Sequence, residues 1–210
     1  MSRITKDSKC RLCRTEGSKL YLKGTRCFSS KCPIEKKGAV APGMHGLKRK
    51  SKPTEYGVQL RAKQKAKRIY GVQETQFKNY YLKAKTLKGQ LGENLLILVE
   101  RRLDNVIYAS GLSLSRSHAK QLISHGHILV NSKKVAVPSY SVKINDIVSL
   151  DPKSIELNKD SLRLIEKDFD APSWIQLTKS KYEAKIISLP QPEEIDNGID
   201  INLIIEYYSR

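Results

Sequence analysis

Four cysteines near the start of the chain form the pattern with the clearest chemistry. They follow the spacing Cys-x2-Cys-x13-Cys-x4-Cys, at Cys10, Cys13, Cys27 and Cys32. Two close pairs joined by a short loop suit tetrahedral Zn²⁺, because a Cys-x2-Cys knuckle brings two thiolates to one ion. Four thiolates leave no coordination position open, so such a site is structural. We expect a structural zinc ion here, whose binding supplies folding free energy to residues 1–46.

Other uses of the four cysteines remain open at the level of sequence. An iron–sulfur cluster also takes four thiolates, two disulfides need an oxidising compartment, and free reduced thiols are a further alternative. All four lie within the first 32 residues, which argues against a disulfide scaffold spread through the chain. The start of the chain lacks an apolar signal segment, and the longest apolar run is Leu95 to Val99. We therefore expect a soluble, intracellular protein.

Positive charge is the second chemical signal. The 210 residues carry a formal net charge of +18, with a sequence pI of about 9.8. Residues 1–100 carry a net +17, residues 101–150 a net +5 and residues 151–210 a net −4. Solubility needs a net charge of only about 2–8, whereas each phosphate neutralised by Lys or Arg releases counterions and favours binding. The pattern predicts a nucleic-acid partner for the first two thirds of the chain.

The elements that position these residues follow from apolar spacing and from chain breakers. Residues 95–150 are predicted to form helix, helix, hairpin and strand, with Ser115 capping the second helix and Asn131-Ser132 as the hairpin turn. The acidic last third is predicted to alternate breaks with short elements. The predicted helices span 54–71, 74–87, 93–110, 116–124 and 155–168, the strands span 127–130, 133–137 and 146–150, and β-like runs span 186–189 and 201–208.

Arg116 and Lys120 stand at i and i+4 of the short helix and so share one face. With the hairpin tip they predict a reader of RNA shape and phosphates, because the deep groove of an RNA helix excludes side chains. A solvated charged helix is an equally good account of the same residues. The nearby histidines lack the spacing of a zinc enzyme, and we expect RNA contact or packing for them. No catalytic residue is predicted.

Runs of residues along the whole chain resemble one family. The segments 102–108, 113–121 and 124–131 are similar to the S-four RNA-binding domain. The cysteine spacing resembles the family of bacterial small-subunit ribosomal protein S-four itself, as do the segments 20–24, 42–46, 56–65, 68–71 and 205–210. Because the likeness covers the chain from end to end, a shared RNA-binding module alone does not account for it.

The resemblance implies a fold and a division of the chain. The fold class is α+β, with a zinc-knuckle N-terminal region, an α-helical domain completed by the C-terminal segment, and an inserted S-four module of two helices packed on a small antiparallel sheet. The expected domains are 1–46, which binds zinc, 47–100, which is helical and binds ribosomal RNA, 101–165, the S-four module, and 166–210, which packs back on the helical domain.

The resemblance also implies a role. Members bind 16S ribosomal RNA at a helix junction in its 5′ domain, nucleate small-subunit assembly, contact neighbouring ribosomal proteins and mRNA where it enters the subunit, and influence decoding accuracy. They are not enzymes. Charge pattern and resemblance together give the candidate RNA-binding residues, which are His45, Lys48, Arg49, Lys50, Tyr56, Gln59, Arg61, Lys63, Lys65, Lys67, Arg68, Arg116, Ser117, Lys120, His125, His127, Asn131, Lys133 and Lys134.

Two other functions fit parts of the same pattern. An RNA-modifying enzyme with an S-four module needs a separate catalytic domain, and the roughly 50 residues left at the C-terminus are too few for one. A ribosome-associated stress protein would resemble the module alone and leave the cysteines unexplained. One departure from the family concerns the hairpin, where Ser132 stands in place of the usual glycine, so a type I′ turn is costlier.

Overall fold

The computed structural model describes residues 8–48, 51–155, 171–195 and 198–210. The chain divides into two compact units. The first, here called the helical unit, comprises Met1–Gly92 with Asn197–Arg210, and the second, the sheet unit, comprises Glu93–Asp196. These boundaries differ from the expected ones, because only the end of segment 166–210 lies in the helical unit. The helix expected over 155–168 lies, apart from residue 155, outside the described residues.

The helical unit is built from short and long helices. The third helix begins where Thr54 Oγ1 accepts a hydrogen bond from the Gly57 backbone N–H at 3.2 Å. It ends at Gly71, whose φ of 60° places it in the left-handed region that glycine favours. Both predicted ends of this helix are confirmed. The helices are α1 (Lys9–Glu16), α2 (Pro33–Lys37), α3 (Glu55–Tyr70) and α4 (Glu74–Thr86), with a 3₁₀ turn at Gly24–Cys27.

The prediction of a β-like run over 201–208 is wrong, because Ile201–Ser209 is a helix. Asp200 caps it by accepting hydrogen bonds from the backbone N–H groups of Asn202 and Leu203. The helix, here numbered α8, packs on α3 and fully buries Ile204. Tertiary packing and a good N-cap therefore outweigh the β propensity of a sequence rich in isoleucine.

The sheet unit begins with two helices where the sequence predicted one long helix over 93–110. The chain leaves the helical path at Arg102, which has extended backbone angles and pairs with Ser141 in a single β-bridge. The Leu103 N–H then donates to the Tyr140 carbonyl at 2.8 Å, which fixes the bend. The helices bounding this break are α5 (Leu91–Glu100) and α6 (Leu103–Ala109), and α7 (Arg116–Ser124) follows as predicted.

A five-stranded antiparallel sheet completes this unit, in the order β2-β1-β3-β5-β4. Asn131 and Ser132 join β1 to β2 with φ of 50° and 65°, as a type I′ turn requires. The core lies under α6 and α7 and contains Val106, Ile123 and Trp174. The strands are β1 (Ile128–Val130), β2 (Lys133–Lys134), β3 (Ile147–Leu150), β4 (Ile175–Thr178) and β5 (Glu183–Ile186).

The structure confirms the broad fold class, a mixture of helices with a small antiparallel sheet. Two strands of that sheet, β4 and β5, come from the segment that we expected to join the helical unit. Among the described residues, no helix combines the length and the apolar character needed to cross a membrane.

Candidate nucleic-acid interface and cysteine cluster

The four cysteines are placed by the first elements of the helical unit. Cys10 and Cys13 lie on α1, Cys27 ends the 3₁₀ turn, and Cys32 immediately precedes α2. Three are buried, Cys10 is half-buried, and all four are free thiols. The two cysteine pairs thus lie on or beside the first three elements of the helical unit.

The electrostatics of the cluster centre on Cys13. Burial raises the pKa of the Cys13 thiol, and the charges of the other three cysteines raise it further, which places all four in one electrostatic neighbourhood. The backbone of Leu20 opposes this shift by hydrogen bonding to the sulfur, and the Lys23 N–H donates to Cys27 Sγ at 3.3 Å. Amide donors of this kind stabilise thiolates. Within the described part of the chain, however, no group of three or more His, Cys, Asp or Glu side chains has an arrangement that could hold a metal ion.

The predicted basic face of α3 is partly occupied by contacts inside the helical unit. Tyr56 and Arg61 are exposed, and Arg61 lies 3.6 Å from Glu16. Arg68 forms an ion pair with the same carboxylate. Lys65 donates to the Gly198 carbonyl at 2.6 Å. Arg61, Lys65 and Arg68 still line the surface of the helix, but carboxylate or carbonyl oxygens orient them.

Gln59 and Lys63 lie on the buried face of α3. The Gln59 amide donates to Glu206 of α8 at 2.9 Å. Lys63 is 3% exposed and its ammonium lies 4.1 Å from the centre of the Tyr207 ring. Residues four apart share one face of a helix, and here that face meets α8. Gln59 and Lys63 therefore pack inside the helical unit, although the sequence predicted that both bind RNA.

The Glu74 carboxylate contacts two of the lysines that were predicted to bind RNA. It accepts hydrogen bonds of 2.7 Å from both Lys63 and Lys67, and one of 2.8 Å from Tyr208. Burial disfavours the ionised carboxylate, but these three donors outweigh burial and lower the pKa of Glu74 to about 2. Burial and then the Glu74 hydrogen bond raise the pKa of the Tyr208 phenol. The cluster is a stabilising network that joins α3, α4 and α8.

In the sheet unit, Arg116 at the start of α7 contacts Asn105 and Tyr108. Its Nε donates to Asn105 Oδ1 at 2.7 Å, and its guanidinium carbon lies 4.3 Å from the centre of the Tyr108 ring. Asn105 is itself fixed by Glu100, whose backbone carbonyl accepts from its amide at 3.1 Å. The guanidinium is thus oriented by its neighbours while the side chain stays half-exposed.

Lys120 lies one turn further along α7 and is less accessible. Its ammonium is 3.5 Å from Asp104, which also accepts a two-pronged ion pair from Arg102 at 3.0 and 2.7 Å. Burial lowers the pKa of Lys120, and the Asp104 charge opposes that shift. Sequence reasoning missed this supporting network, although its residues belong to a run that it used only for the family resemblance.

The hairpin presents the remaining candidates of the sheet unit. Lys133 and Lys134 are exposed on β2, and Lys134 lies 2.8 Å from Asp151. The Asn131 side chain stabilises the turn, because its amide N–H donates to Asp146 and its carbonyl oxygen accepts from the Ile147 N–H. It therefore supports the turn that carries the lysines.

The other predicted residues divide by exposure. Ser117, His125, His45 and Lys48 are exposed. The His127 ring is half-buried and shares a 2.7 Å hydrogen bond with the Ser154 hydroxyl. Arg49 and Lys50 lie outside the described residues.

Comparison with known proteins gives matches along almost the whole chain. Residues 5–100 match the model of the ribosomal protein S4/S9 N-terminal domain, and residues 101–148 match that of the S4 domain. The chain is 52% identical, over 96% of its length and 96% of the relative's, to "Small ribosomal subunit protein uS4" of Thermoanaerobacter sp. (strain X514). It is 49% identical to the protein of that name from Clostridium tetani (strain Massachusetts / E88) over 100% of both chains, and 48% identical to that from Halothermothrix orenii over 96% of both.

Proposed function

The chain belongs to the family of small ribosomal subunit protein uS4 and is a structural, non-catalytic component of that subunit, and from this premise we propose that it anchors itself by binding 16S ribosomal RNA directly. Its place is accordingly the cytoplasmic ribosome. The observation that carries the proposal is the net charge of +17 on residues 1–100. An RNA backbone compensates that charge by releasing its own counterions.

In the helical unit, the exposed side of α3 supports a contact with RNA phosphates. Arg61 and Lys65 keep their charged groups at or near the surface, and Tyr56 offers an exposed ring. Lys48 lies in the segment that leads into this helix. Since Gln59 and Lys63 face α8, the contacting surface is narrower than the charge pattern alone suggests.

In the sheet unit, Arg116 and Lys133 are the strongest candidates for phosphate contacts. Arg116 is oriented over Tyr108 by its hydrogen bond to Asn105, so it loses little conformational entropy when it binds. Lys133 is exposed at the hairpin. Both recognise the backbone of folded RNA by charge and shape, which suits a structured RNA better than a base sequence.

The finer parts of the role extend the same proposal. The protein binds at a helix junction in the 5′ domain of 16S RNA, nucleates assembly of the subunit, and contributes to decoding accuracy beside mRNA where it enters. Neighbouring ribosomal proteins are its other partners. The net charge of −4 on residues 151–210 supports a role for this segment facing basic protein neighbours and away from RNA.

Structural zinc completes the proposed function. Cys10, Cys13, Cys27 and Cys32 supply a four-thiolate donor set of the kind that zinc prefers in closed sites. Burial of three thiols and the amide donors at Cys13 and Cys27 support it. Bound zinc would fasten α1 to the 3₁₀ turn and α2, a part of the helical unit with few apolar residues of its own.

The decisive test is binding of the purified chain to 16S RNA. We expect a clear preference for the 5′ domain over an unrelated duplex at physiological ionic strength, with affinity falling steeply as salt increases. In cells the protein should stay with small subunits through a high-salt wash. Equal affinity for both RNAs, together with loss from the subunits, would contradict the proposal.

A further inference from the structure

Two aromatic side chains of the helical unit are stacked on each other at the surface. The ring centres of Tyr21 and Phe28 lie 5.1 Å apart, with 28° between the ring planes. Tyr21 is 39% exposed and Phe28 is 72% exposed. Exposed apolar groups that form a contiguous patch rimmed by polar residues mark interaction sites. Neither residue belongs to the RNA-binding set inferred from sequence.

The backbone holds both rings at the surface. Tyr21 has a φ of 50°, in the left-handed region that residues with a side chain seldom adopt. Phe28 directly follows the 3₁₀ turn that carries buried Cys27, and its N–H donates to the Thr25 carbonyl at 3.1 Å. Cys27 is buried, whereas Phe28, the next residue along the chain, is exposed. The exposed stack is therefore built into the same turn that positions the cysteine cluster.

Basic side chains lie beside Phe28, one of the two rings of the stack. Phe28 lines an open depression whose rim carries several basic side chains and one acidic residue, Glu35, which is paired with Lys19. Val40 also lines the depression, and Arg14 fixes its loop by donating hydrogen bonds to the carbonyls of Val40 and Ala41, at 2.8 and 3.0 Å. The basic residues that line the depression are Arg14, Arg26, Lys31, Lys36 and Lys37.

We propose that Tyr21 and Phe28 form a stacking platform for an unpaired nucleobase of the bound RNA, with Arg26 and Lys31 on its flanking phosphates. This deepens the proposed function, on which it rests. Aromatic rings beside cations are the standard means of holding an unstacked base, and stacking on an aromatic side chain needs no particular base. The excess of positive charge around the depression favours a nucleic acid over a protein partner.

Removal of the ring separates stacking from charge. With a 16S 5′ domain transcript as probe, we expect Phe28→Ala to weaken binding by roughly 5- to 100-fold, as found for base–aromatic stacks, with an unchanged salt slope. Arg26→Gln should instead reduce the slope by about 0.7–0.9. Phe28→Tyr should bind as the wild type does. Leu82→Ala, which removes an exposed apolar side chain from α4 of the same unit, is the matched control and should have no effect.

A fluorescent ring reports the stack directly. Trp174 is the only tryptophan and lies buried in the sheet unit, so added emission of Phe28→Trp over the wild type comes from the platform. We expect the transcript to quench that added emission.

If the wild-type protein binds but Phe28→Ala binds equally well and Phe28→Trp is not quenched, the platform is refuted and the proposed function survives. A Phe28→Ala defect seen only during incorporation into subunits would assign the stack to a protein neighbour and also overturn it. If the wild type does not bind, the proposed function itself fails.

Discussion

The ammonium of Lys63 lies 2.7 Å from the carboxylate of Glu74, although the lysine side chain is only 4% exposed. The ring of Tyr207 from α8 covers the same ammonium at 4.1 Å. A lysine that the sequence placed among RNA ligands is therefore an internal tie between α3, α4 and α8. Burial of a charge is tolerated here because carboxylate and aromatic ring both compensate it.

Loss of the Glu74 charge should destabilise the helical unit. Glu74→Gln leaves Lys63 buried without its counter-charge, and we expect the free energy of unfolding to fall by about 1–3 kcal/mol. Glu55→Gln is the matched control, because its side chain is 92% exposed and lies 4.0 Å from Arg210. Urea unfolding, monitored through hydrogen exchange of the α3 backbone amides, measures the change in unfolding free energy for each substitution. An equal effect of the two substitutions would contradict the assignment of Glu74 as the counter-charge of Lys63.

The same contact predicts a pH dependence. The pKa of Glu74 falls from its ordinary value of 4.5 in the unfolded chain to about 2 in the folded protein. Its contribution to stability is then full above about pH 5 and is lost as pH falls from 4.5 towards 2. The stability difference between the wild type and Glu74→Gln should shrink in that window. A difference that stays constant down to pH 2 would rule out the ionised pair.

The hairpin turn offers two substitutions with opposite effects. Ser132 adopts a φ of 65°, where glycine has no steric penalty, so Ser132→Gly should stabilise the sheet unit by about 0.5–1 kcal/mol. Asn131→Gly relieves a similar φ but removes hydrogen bonds to Asp146 and Ile147, and should destabilise it by about 1 kcal/mol. Unfolding monitored by Trp174 emission measures both. Effects of the same sign would disprove this account.

Metal removal should act on one unit only. The purified, reduced protein is expected to contain zinc, and chelation at neutral pH should release it and expose the thiols of Cys10, Cys13, Cys27 and Cys32 to alkylation. Trp174 emission should not change, because it reports the sheet unit. Cys13→Ser should abolish stoichiometric zinc. Protein that is folded and metal-free before chelation would refute the zinc proposal, and iron with a visible absorption band would indicate an iron–sulfur cluster.

Arg116 and Lys120 should differ in their effects on RNA binding. The helix pattern alone predicts one phosphate for each, whereas Lys120 lies beside Asp104 and is mostly buried. Arg116→Ala should therefore reduce the salt slope by about 0.7–0.9, and Lys120→Ala should reduce it less and lower stability more. Filter binding over a salt series and urea unfolding measure the two effects. An unchanged slope for Arg116→Ala would remove α7 from the interface.

Local signals predicted the elements whose ends are set by caps and turns. Thr54 and Gly71 bound α3, Ser115 starts α7, and the turn at Asn131-Ser132 lies where alternation of apolar residues breaks. Such signals act within a few residues of the chain, so the sequence displays them.

The remaining features depend on contacts between distant segments. Residues 201–209 look β-like until α3 supplies an apolar face for them. Strand β5 pairs with β3 in an antiparallel register that joins Val148 to Ala184, and β4 pairs in turn with β5. Burial of Lys63 needs Glu74 and Tyr207 together, and charge counting cannot separate such a lysine from an exposed one.

The packing of α3 on α8 also determines when the helical unit can finish folding during translation. Gln59 and Glu206, which meet across these helices, are 147 residues apart, and the entire sheet unit is translated between them. At typical elongation rates of about 5–20 residues per second, α3 waits roughly 7–30 s for its partner helix. A nascent chain thus holds a complete sheet unit while the helical one is unfinished, with Lys63 and Phe77 uncovered in the meantime.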